Sequence, residues 1–182
     1  MDTYTSTFIE LITKNQTIMQ DLSIIRDLNL PDSYIAAGYI RNYIWDVLHD
    51  FPERTPLNDI DVVYYNPDEL DEENEKTYEQ KLKRETGNSL WSVKNQARMH
   101  IKNGDQPYHS IEDALSQWPE TATAIGVKLE NDNRVSVVCP YGLEDIFEFR
   151  VKKSPLFKDE GHYRYRVNQK NWKGLWPKLE IY

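Results

Sequence analysis

Two acidic residues two positions apart, Asp59 and Asp61, are the residues of this sequence best suited to do chemistry. Apolar residues flank them, which predicts a β-strand over residues 59–65. Because side chains alternate across a strand, both carboxylates would point to the same face. Adjacent carboxylates raise each other's pKa unless a cation lies between them. The pair therefore predicts a site for a hard divalent cation, with Mg²⁺ as the expected ion.

A glycine upstream of this pair predicts a phosphate site beside the metal site. Gly38 follows an apolar strand over residues 33–37 and precedes a helical pattern over residues 41–50. A helix N-terminus presents unpaired N–H groups and a positive dipole end, and glycine lets a phosphate approach the backbone closely. A phosphate cradle next to two carboxylates is the arrangement used in metal-assisted phosphoryl or nucleotidyl transfer.

The order of the predicted elements indicates the fold class. An N-terminal helix is followed by strand, helix, strand, a highly charged helix, strand, helix and a hairpin. This order predicts an α+β (α/β-like) domain with a small mixed β-sheet flanked by helices. We assign residues 1–154, including the N-terminal helix, to this domain.

Residues 155–182 form a basic, aromatic C-terminal tail. The segment from Arg150 to Tyr182 holds nine Lys/Arg and three Asp/Glu, whereas the remainder holds 13 Lys/Arg and 27 Asp/Glu. Opposite charge predicts that the tail packs on the domain. The alternative is that its interleaved basic and aromatic side chains stack on single-stranded RNA.

Composition excludes several classes of partner. The net charge of −8 argues against duplex DNA as a ligand. No apolar run approaches the roughly 20 residues that span a bilayer, and the N-terminus lacks the pattern of a secretory signal. The single Cys139 cannot form an internal disulfide. These features predict a cytoplasmic protein that does not contact membranes.

Several segments together resemble a known family: GYIRNYIWDVLH, NDIDVVYY, WSVKNQARMH, PYHSIEDALSQWPETATAIGV and PYGLEDIF. They look like an uncharacterised bacterial family of nucleotidyltransferase-like proteins in the superfamily typified by DNA polymerase β. The similarity covers roughly residues 35–153. It implies a polymerase β-type nucleotidyltransferase fold. It also implies a reaction that moves a nucleoside monophosphate from an NTP to an acceptor and releases pyrophosphate.

The resemblance assigns roles to individual positions. Asp59 and Asp61 match the metal carboxylates, which can hold two Mg²⁺ ions, and Gly38 matches the glycine of the strand-to-helix turn. The predicted nucleotide-binding residues are Gly38, Tyr39 through its backbone N–H, Arg41, Asn42 and Lys94. Arg41 and Asn42 could instead be a solvent-facing helix surface, and Lys94 an ordinary surface cation.

Two positions depart from the pattern of the superfamily. Tyr39 stands where a small residue usually follows the glycine, and Ser92 stands where the resemblance implies a third carboxylate. Glu130, Glu144 and Asp145 could substitute for that acid. A missing general base lowers rates by roughly 10²–10⁴-fold. Three functions therefore stay open. They are a Mg²⁺-dependent nucleotidyltransferase with an unknown small-molecule, RNA or protein acceptor, a catalytically degenerate nucleotide-binding or regulatory module, and an RNA-interaction protein that uses the tail.

Overall fold

The computed structural model describes residues 3–182, which alternate between helices and short strands. The helices are α1 (Thr3–Lys14), α2 (Gln16–Asp27), α3 (Gly38–Leu48), α4 (Glu72–Thr86), α5 (Gln96–Asn103), α6 (Ile111–Ser116), α7 (Glu144–Phe147), α8 (Glu160–Lys170) and α9 (Trp172–Leu175). The strands are β1 (Tyr34–Ala36), β2 (Ile60–Tyr64), β3 (Trp91–Asn95), β4 (Gly126–Leu129), β5 (Val135–Val138), β6 (Arg150–Val151) and β7 (Glu180–Ile181). No helix within residues 3–182 combines the length and hydropathy needed to cross a membrane.

The central sheet is mixed, as predicted. Its five strands lie in the order β3-β2-β1-β4-β5. Strands β2 and β3 are parallel, and the other neighbours are antiparallel. The predicted hairpin is present between β4 and β5, where the Glu130 N–H donates to the Arg134 carbonyl at 2.8 Å. The α+β class with a small mixed sheet is confirmed.

One face of the sheet is the core. Ile35, Val62, Val93 and Val127 form a row across four strands, and each is fully buried. Burying one such side chain stabilises the fold by about 1.5–3 kcal/mol. A slip of one residue would exchange Val62 for Asp61 in this row and bury a carboxylate among aliphatic groups. The hydrophobic pattern of β2 therefore also fixes where Asp61 points.

The neighbouring row of the sheet is made of small residues. Gly126 lies beside Ala36, Ala36 beside Asp61, and Asp61 beside Ser92. These pairs have side chains on the face opposite the aliphatic row. Small side chains on both sides of Asp61 leave space above the sheet, and this space is where a functional site can form.

The C-terminal segment packs into the same core as the sheet. Tyr163, Trp172 and Trp176 are buried in one cluster with the residues of β1 and β2. Strand β7 pairs in parallel with β6. The Trp176 indole N–H donates to the Asp46 carboxylate at 2.8 Å, which ties the segment to helix α3.

Candidate active site

A cleft of about 780 Å³ opens where β1 leads into α3. Its walls come from the start of α3, from the loop and strand that carry the two aspartates, and from the C-terminal segment. The predicted site residues that line it are Gly38, Arg41, Asn42, Asp59, Asp61 and Lys94. These six residues span more than 50 positions of the sequence, and the structure brings them together in one cleft.

The two aspartates lie at the edge of β2. Asp59 is exposed and immediately precedes the strand, which begins at Ile60, while Asp61 is half-buried inside it. Burial raises the pKa of Asp61 to about 6, and the negative charge of Asp59 adds to the effect. Lys170 gives the largest opposing effect. Positive charge therefore only partly offsets the cost of ionising Asp61.

The turn into α3 places its strain on Ala37 and not on Gly38. Ala37 has a φ of 56° and a ψ of −131°, a left-handed backbone conformation that favours glycine. A Cβ atom at Gly38 would meet the Arg41 Nη2 at 3.5 Å, an ordinary contact. Gly38 is therefore not needed for its own dihedral angles or for packing within the protein. No side chain caps α3, so its first N–H groups lack a side-chain partner and lie at the cleft wall.

Arg41 is held rigidly at the back of the cleft. Its guanidinium donates to the Thr123 hydroxyl at 2.5 Å and to the Asn42 side-chain oxygen at 2.8 Å. The guanidinium lies 4.7 Å from the centre of the Trp45 ring and 4.6 Å from that of Trp172. Burial lowers the pKa of Arg41 to about 10, and it remains a cation at neutral pH. Arg41 is buried, so the alternative prediction that it lies on a solvent-facing helix surface is wrong.

The Tyr39 side chain points away from the cleft. Its hydroxyl donates to the Asp21 carboxylate on α2, and the Arg54 guanidinium lies 4.8 Å from the centre of its ring. Burial and the hydrogen bond to Asp21 raise the pKa of this phenol. The sequence predicted a contribution from the backbone N–H, and only that group of Tyr39 could face a ligand.

Lys94 lies on β3, the strand that pairs with the one carrying Asp61. Its ammonium lies 3.5 Å from the carboxylate of Glu75, a fully buried residue of α4. The same carboxylate is already paired with Arg98 at 2.9 Å. Because Glu75 pairs with both Arg98 and Lys94, it neutralises the charge of Lys94 only in part.

A third carboxylate is not present where the resemblance implies one. Ser92 pairs directly with Asp61 across the parallel ladder, so the neighbouring strand was placed correctly. Of the three proposed substitutes, Glu130, Glu144 and Asp145, none is among the residues that line the cleft. Asp145 instead pairs with Arg150 and Lys152. Among residues 3–182, no three His, Cys, Asp or Glu side chains form a metal-binding group.

Sequence reasoning missed several residues that line the cleft from the C-terminal side. They are Thr123, Arg166, Lys170, Trp172 and Trp176. One signal was available: Arg166 and Lys170 are four residues apart, which places them on one face of a helix. The tail was not assigned a helix from its sequence, because its apolar residues do not follow a clear helical period.

Comparison with known proteins supplies the family. The family model described as Nucleotidyltransferase matches residues 23–181. A solved structure described as revealing a CCA-adding enzyme head domain is 37% identical, with a TM-score of 0.84. The alignment covers 96% of this chain and 94% of that chain. No curated protein matches the sequence.

Larger enzymes share the fold at lower identity. A CCA-adding enzyme in complex with CTP has a TM-score of 0.62 and 14% identity, over 98% of this chain and 43% of that chain. The Thermotoga maritima CCA-adding enzyme in complex with tRNA has a TM-score of 0.58 and 15% identity, over 95% of this chain and 42% of that chain. The chain therefore spans less than half of these enzymes. The polymerase β-type fold inferred from the sequence is confirmed, and the chain belongs to the nucleotidyltransferase family.

Proposed function

We propose that this protein transfers a nucleoside monophosphate from an NTP to a hydroxyl acceptor, in a reaction that depends on Mg²⁺. The observation that carries the proposal is the placement of Asp59 and Asp61 in one cleft with the uncapped start of α3. Carboxylates that bind a metal and N–H groups that bind phosphate are the two components that phosphoryl-transfer sites require.

The donor set fits Mg²⁺. Mg²⁺ in proteins is commonly held by one or two carboxylates, with substrate phosphates and water as the other ligands. Asp59 and Asp61 supply two carboxylates. Burial and then the charge of Asp59 raise the pKa of Asp61, and a bound cation would offset both effects. These two residues would hold the ion, or both ions of a two-metal site. When bound, the metal would polarise phosphoryl oxygens and lower the pKa of the acceptor hydroxyl.

The protein's own groups would bind and orient the NTP. The N–H groups of Gly38 and Tyr39 would contact phosphate oxygens, and Arg41 would stabilise their charge from a fixed position. Asn42 and Lys94 would complete the contacts. The acceptor oxygen attacks the α-phosphorus, the bond to the β-phosphate oxygen breaks, pyrophosphate leaves, and the hydroxyl proton passes to solvent.

An RNA end is the acceptor that we propose first. A solved relative of the same fold is a CCA-adding enzyme bound to tRNA. The lining of the cleft also includes Lys102, Lys158 and the exposed Leu156, cationic and apolar groups that suit a phosphate backbone and a base. A small molecule or a protein side chain is the alternative acceptor. A cytoplasmic location, where NTPs are abundant, agrees with this assignment.

The test is transfer of label from α-phosphate-labelled NTPs to RNA in the presence of Mg²⁺. We expect labelled RNA with the wild type, loss of label with Asp61→Asn or with EDTA, and no change with the exposed Asp68→Asn. A cell extract in place of purified RNA would reveal a small-molecule or protein acceptor. Label that persists in Asp61→Asn would overturn the proposal.

Nucleotide binding without turnover is the second candidate, and Ser92 favours it. This serine lies beside Asp61, where a carboxylate could act as general base. NTP binding by calorimetry without any labelled product would support this candidate. Under it, Ser92→Asp should create detectable transfer, whereas Ser92→Asn should not. RNA binding by the tail alone is less well supported, because Trp172 and Trp176 are buried and the exposed aromatic side chains of the tail are Tyr165 and the C-terminal Tyr182.

A further inference from the structure

Helix α8 contributes a wall of the cleft through two cations on one face. Arg166 and Lys170 are separated by one helical turn, and both line the cleft that also holds the aspartates. This helix begins more than 90 residues after Asp61 in the chain. Its orientation therefore depends on tertiary contacts.

A buried ion pair fixes that orientation. Glu120 is fully buried, and its carboxylate accepts hydrogen bonds from the Arg166 Nε at 2.9 Å and Nη2 at 3.3 Å. A buried carboxylate is strongly destabilising without its partner, so Arg166 cannot leave Glu120 at low cost. The geometry is bidentate, which fixes direction as well as distance. Glu120 neutralises the charge of Arg166, and the contact holds the face of α8 that carries Arg166 and Lys170 toward the cleft.

Lys170 is left as the available cation of this wall. Its side chain is exposed to the cleft, and it forms no ion pair with a carboxylate of the described chain. Lys170 and Asp61 line the same cleft. An ammonium without a counter-ion of its own, in one cleft with the carboxylates proposed to hold Mg²⁺, suits an anionic ligand that contacts both.

We propose that Lys170 binds the β- and γ-phosphates of the NTP, the part that leaves as pyrophosphate, and that the Glu120–Arg166 pair positions it. The inference rests on the function proposed above. It makes the C-terminal segment an integral part of the nucleotide site.

The test compares ligands that have and lack the outer phosphates. Binding of a non-hydrolysable ATP analogue, of tripolyphosphate and of AMP is measured by calorimetry with Mg²⁺ for wild type, Lys170→Gln and Lys173→Gln. Lys173 is the control, because it is an exposed lysine of the same segment that does not line the cleft. We expect Lys170→Gln to weaken the ATP analogue and tripolyphosphate roughly 10- to 100-fold. AMP binding should stay unchanged, and Lys173→Gln should bind all three ligands as the wild type does.

Two outcomes separate this inference from the proposed function. If the wild type binds the ATP analogue and Lys170→Gln binds it equally well, the role of Lys170 is rejected and the proposed function stands. An equal loss of AMP and ATP-analogue binding would also reject it. If the wild type binds no NTP, both proposals fail together.

The positioning role of Arg166 has its own test. Arg166→Gln should weaken tripolyphosphate binding in the wild-type background but have little further effect in the Lys170→Gln background, because it acts through Lys170. Arg166→Lys, which keeps the charge facing Glu120, should recover part of the binding. Additive losses in the double variant would show that Arg166 does not act through Lys170. Circular dichroism of each variant would confirm that it folds.

Discussion

The two walls of the cleft differ in charge and in how the chain builds them. The acidic wall, with Asp59 and Asp61, follows closely after Gly38 and α3 in the sequence. The basic wall, with Arg166 and Lys170, comes from a distant helix and is held by a buried glutamate. The half of the site proposed to bind metal is thus a local motif, whereas much of the half proposed to bind phosphate depends on the complete fold.

The two walls are also physically joined. The Arg41 guanidinium contacts both the Trp45 ring on α3 and the Trp172 ring on α9, at 4.7 and 4.6 Å from their centres. Asp46 accepts from the Trp176 indole at 2.8 Å and from the Thr55 hydroxyl at 2.6 Å. Asp46 thereby connects the C-terminal segment to the loop that leads to Asp59. We expect damage to either wall to affect the other.

The largest effect should come from the acidic wall. Replacing Asp59 and Asp61 together by Asn should lower the rate of label transfer by at least roughly 10³-fold, because metal coordination contributes several kcal/mol to the barrier. Steady-state rates with labelled NTP measure this loss. If this double variant lost less transfer rate than Lys170→Gln does, the basic wall would contribute more to the reaction than the acidic wall.

Removal of the shared aromatic contact should affect stability most. Trp172→Ala should lower the free energy of unfolding by about 3–5 kcal/mol, because it empties a buried position of the core. It should also weaken NTP binding, since Arg41 loses one of the two rings that its guanidinium contacts. Urea denaturation and calorimetry measure the two effects. Tyr165→Ala, an exposed aromatic of the same segment, should stay within about 0.5 kcal/mol of wild type. Full NTP affinity in folded Trp172→Ala would show that the walls are not coupled.

The pKa of Asp61 predicts a pH-dependent effect that Mg²⁺ should remove. Its pKa in the folded protein is about 6 and lies above the ordinary value of 3.8, so ionisation costs the folded state. This cost is absent below pH 4, grows between pH 4 and 6, and is complete above pH 6. Without metal, Asp61→Asn should therefore be more stable than wild type by up to about 3 kcal/mol at pH 7.5. The two proteins should converge near pH 4.

Urea unfolding at several pH values, with EDTA or with Mg²⁺, checks this prediction. Mg²⁺ should stabilise the wild type at pH 7.5 and leave Asp61→Asn unchanged. Asp68→Asn is the matched control, because Asp68 is exposed and lies outside the cleft. A wild type that gains no stability from Mg²⁺ would contradict metal binding by this pair.

The smallest effect should come from Tyr39. Tyr39→Phe removes the hydrogen bond to Asp21 and should cost about 0.5–1.5 kcal/mol of stability. NTP affinity should not change, because the backbone N–H stays in place. A clear loss of affinity would mean that the phenol reaches the ligand after all. Thermal denaturation and calorimetry on the same preparation distinguish these results.

Much of the acidic wall could be predicted because its signals are local. The alternation around Asp61 and the apolar run before Gly38 are visible within a few residues, and the sheet register follows from them. Two details could not be predicted. The strain lies at Ala37, and the Tyr39 side chain turns toward α2, because the phase of the helix is set by packing between elements.

The sequence by itself determined the carboxylate pair, the glycine turn, the mixed sheet and the charge asymmetry of the tail, because each depends on short-range periodicity or composition. Only the tertiary structure decided that Glu120 lies against Arg166, that Lys170 shares a cleft with Asp61, and that Trp172 contacts Arg41. These contacts join residues separated by about 45 to 130 positions. Their geometry comes from the packing of whole elements, which no local pattern specifies.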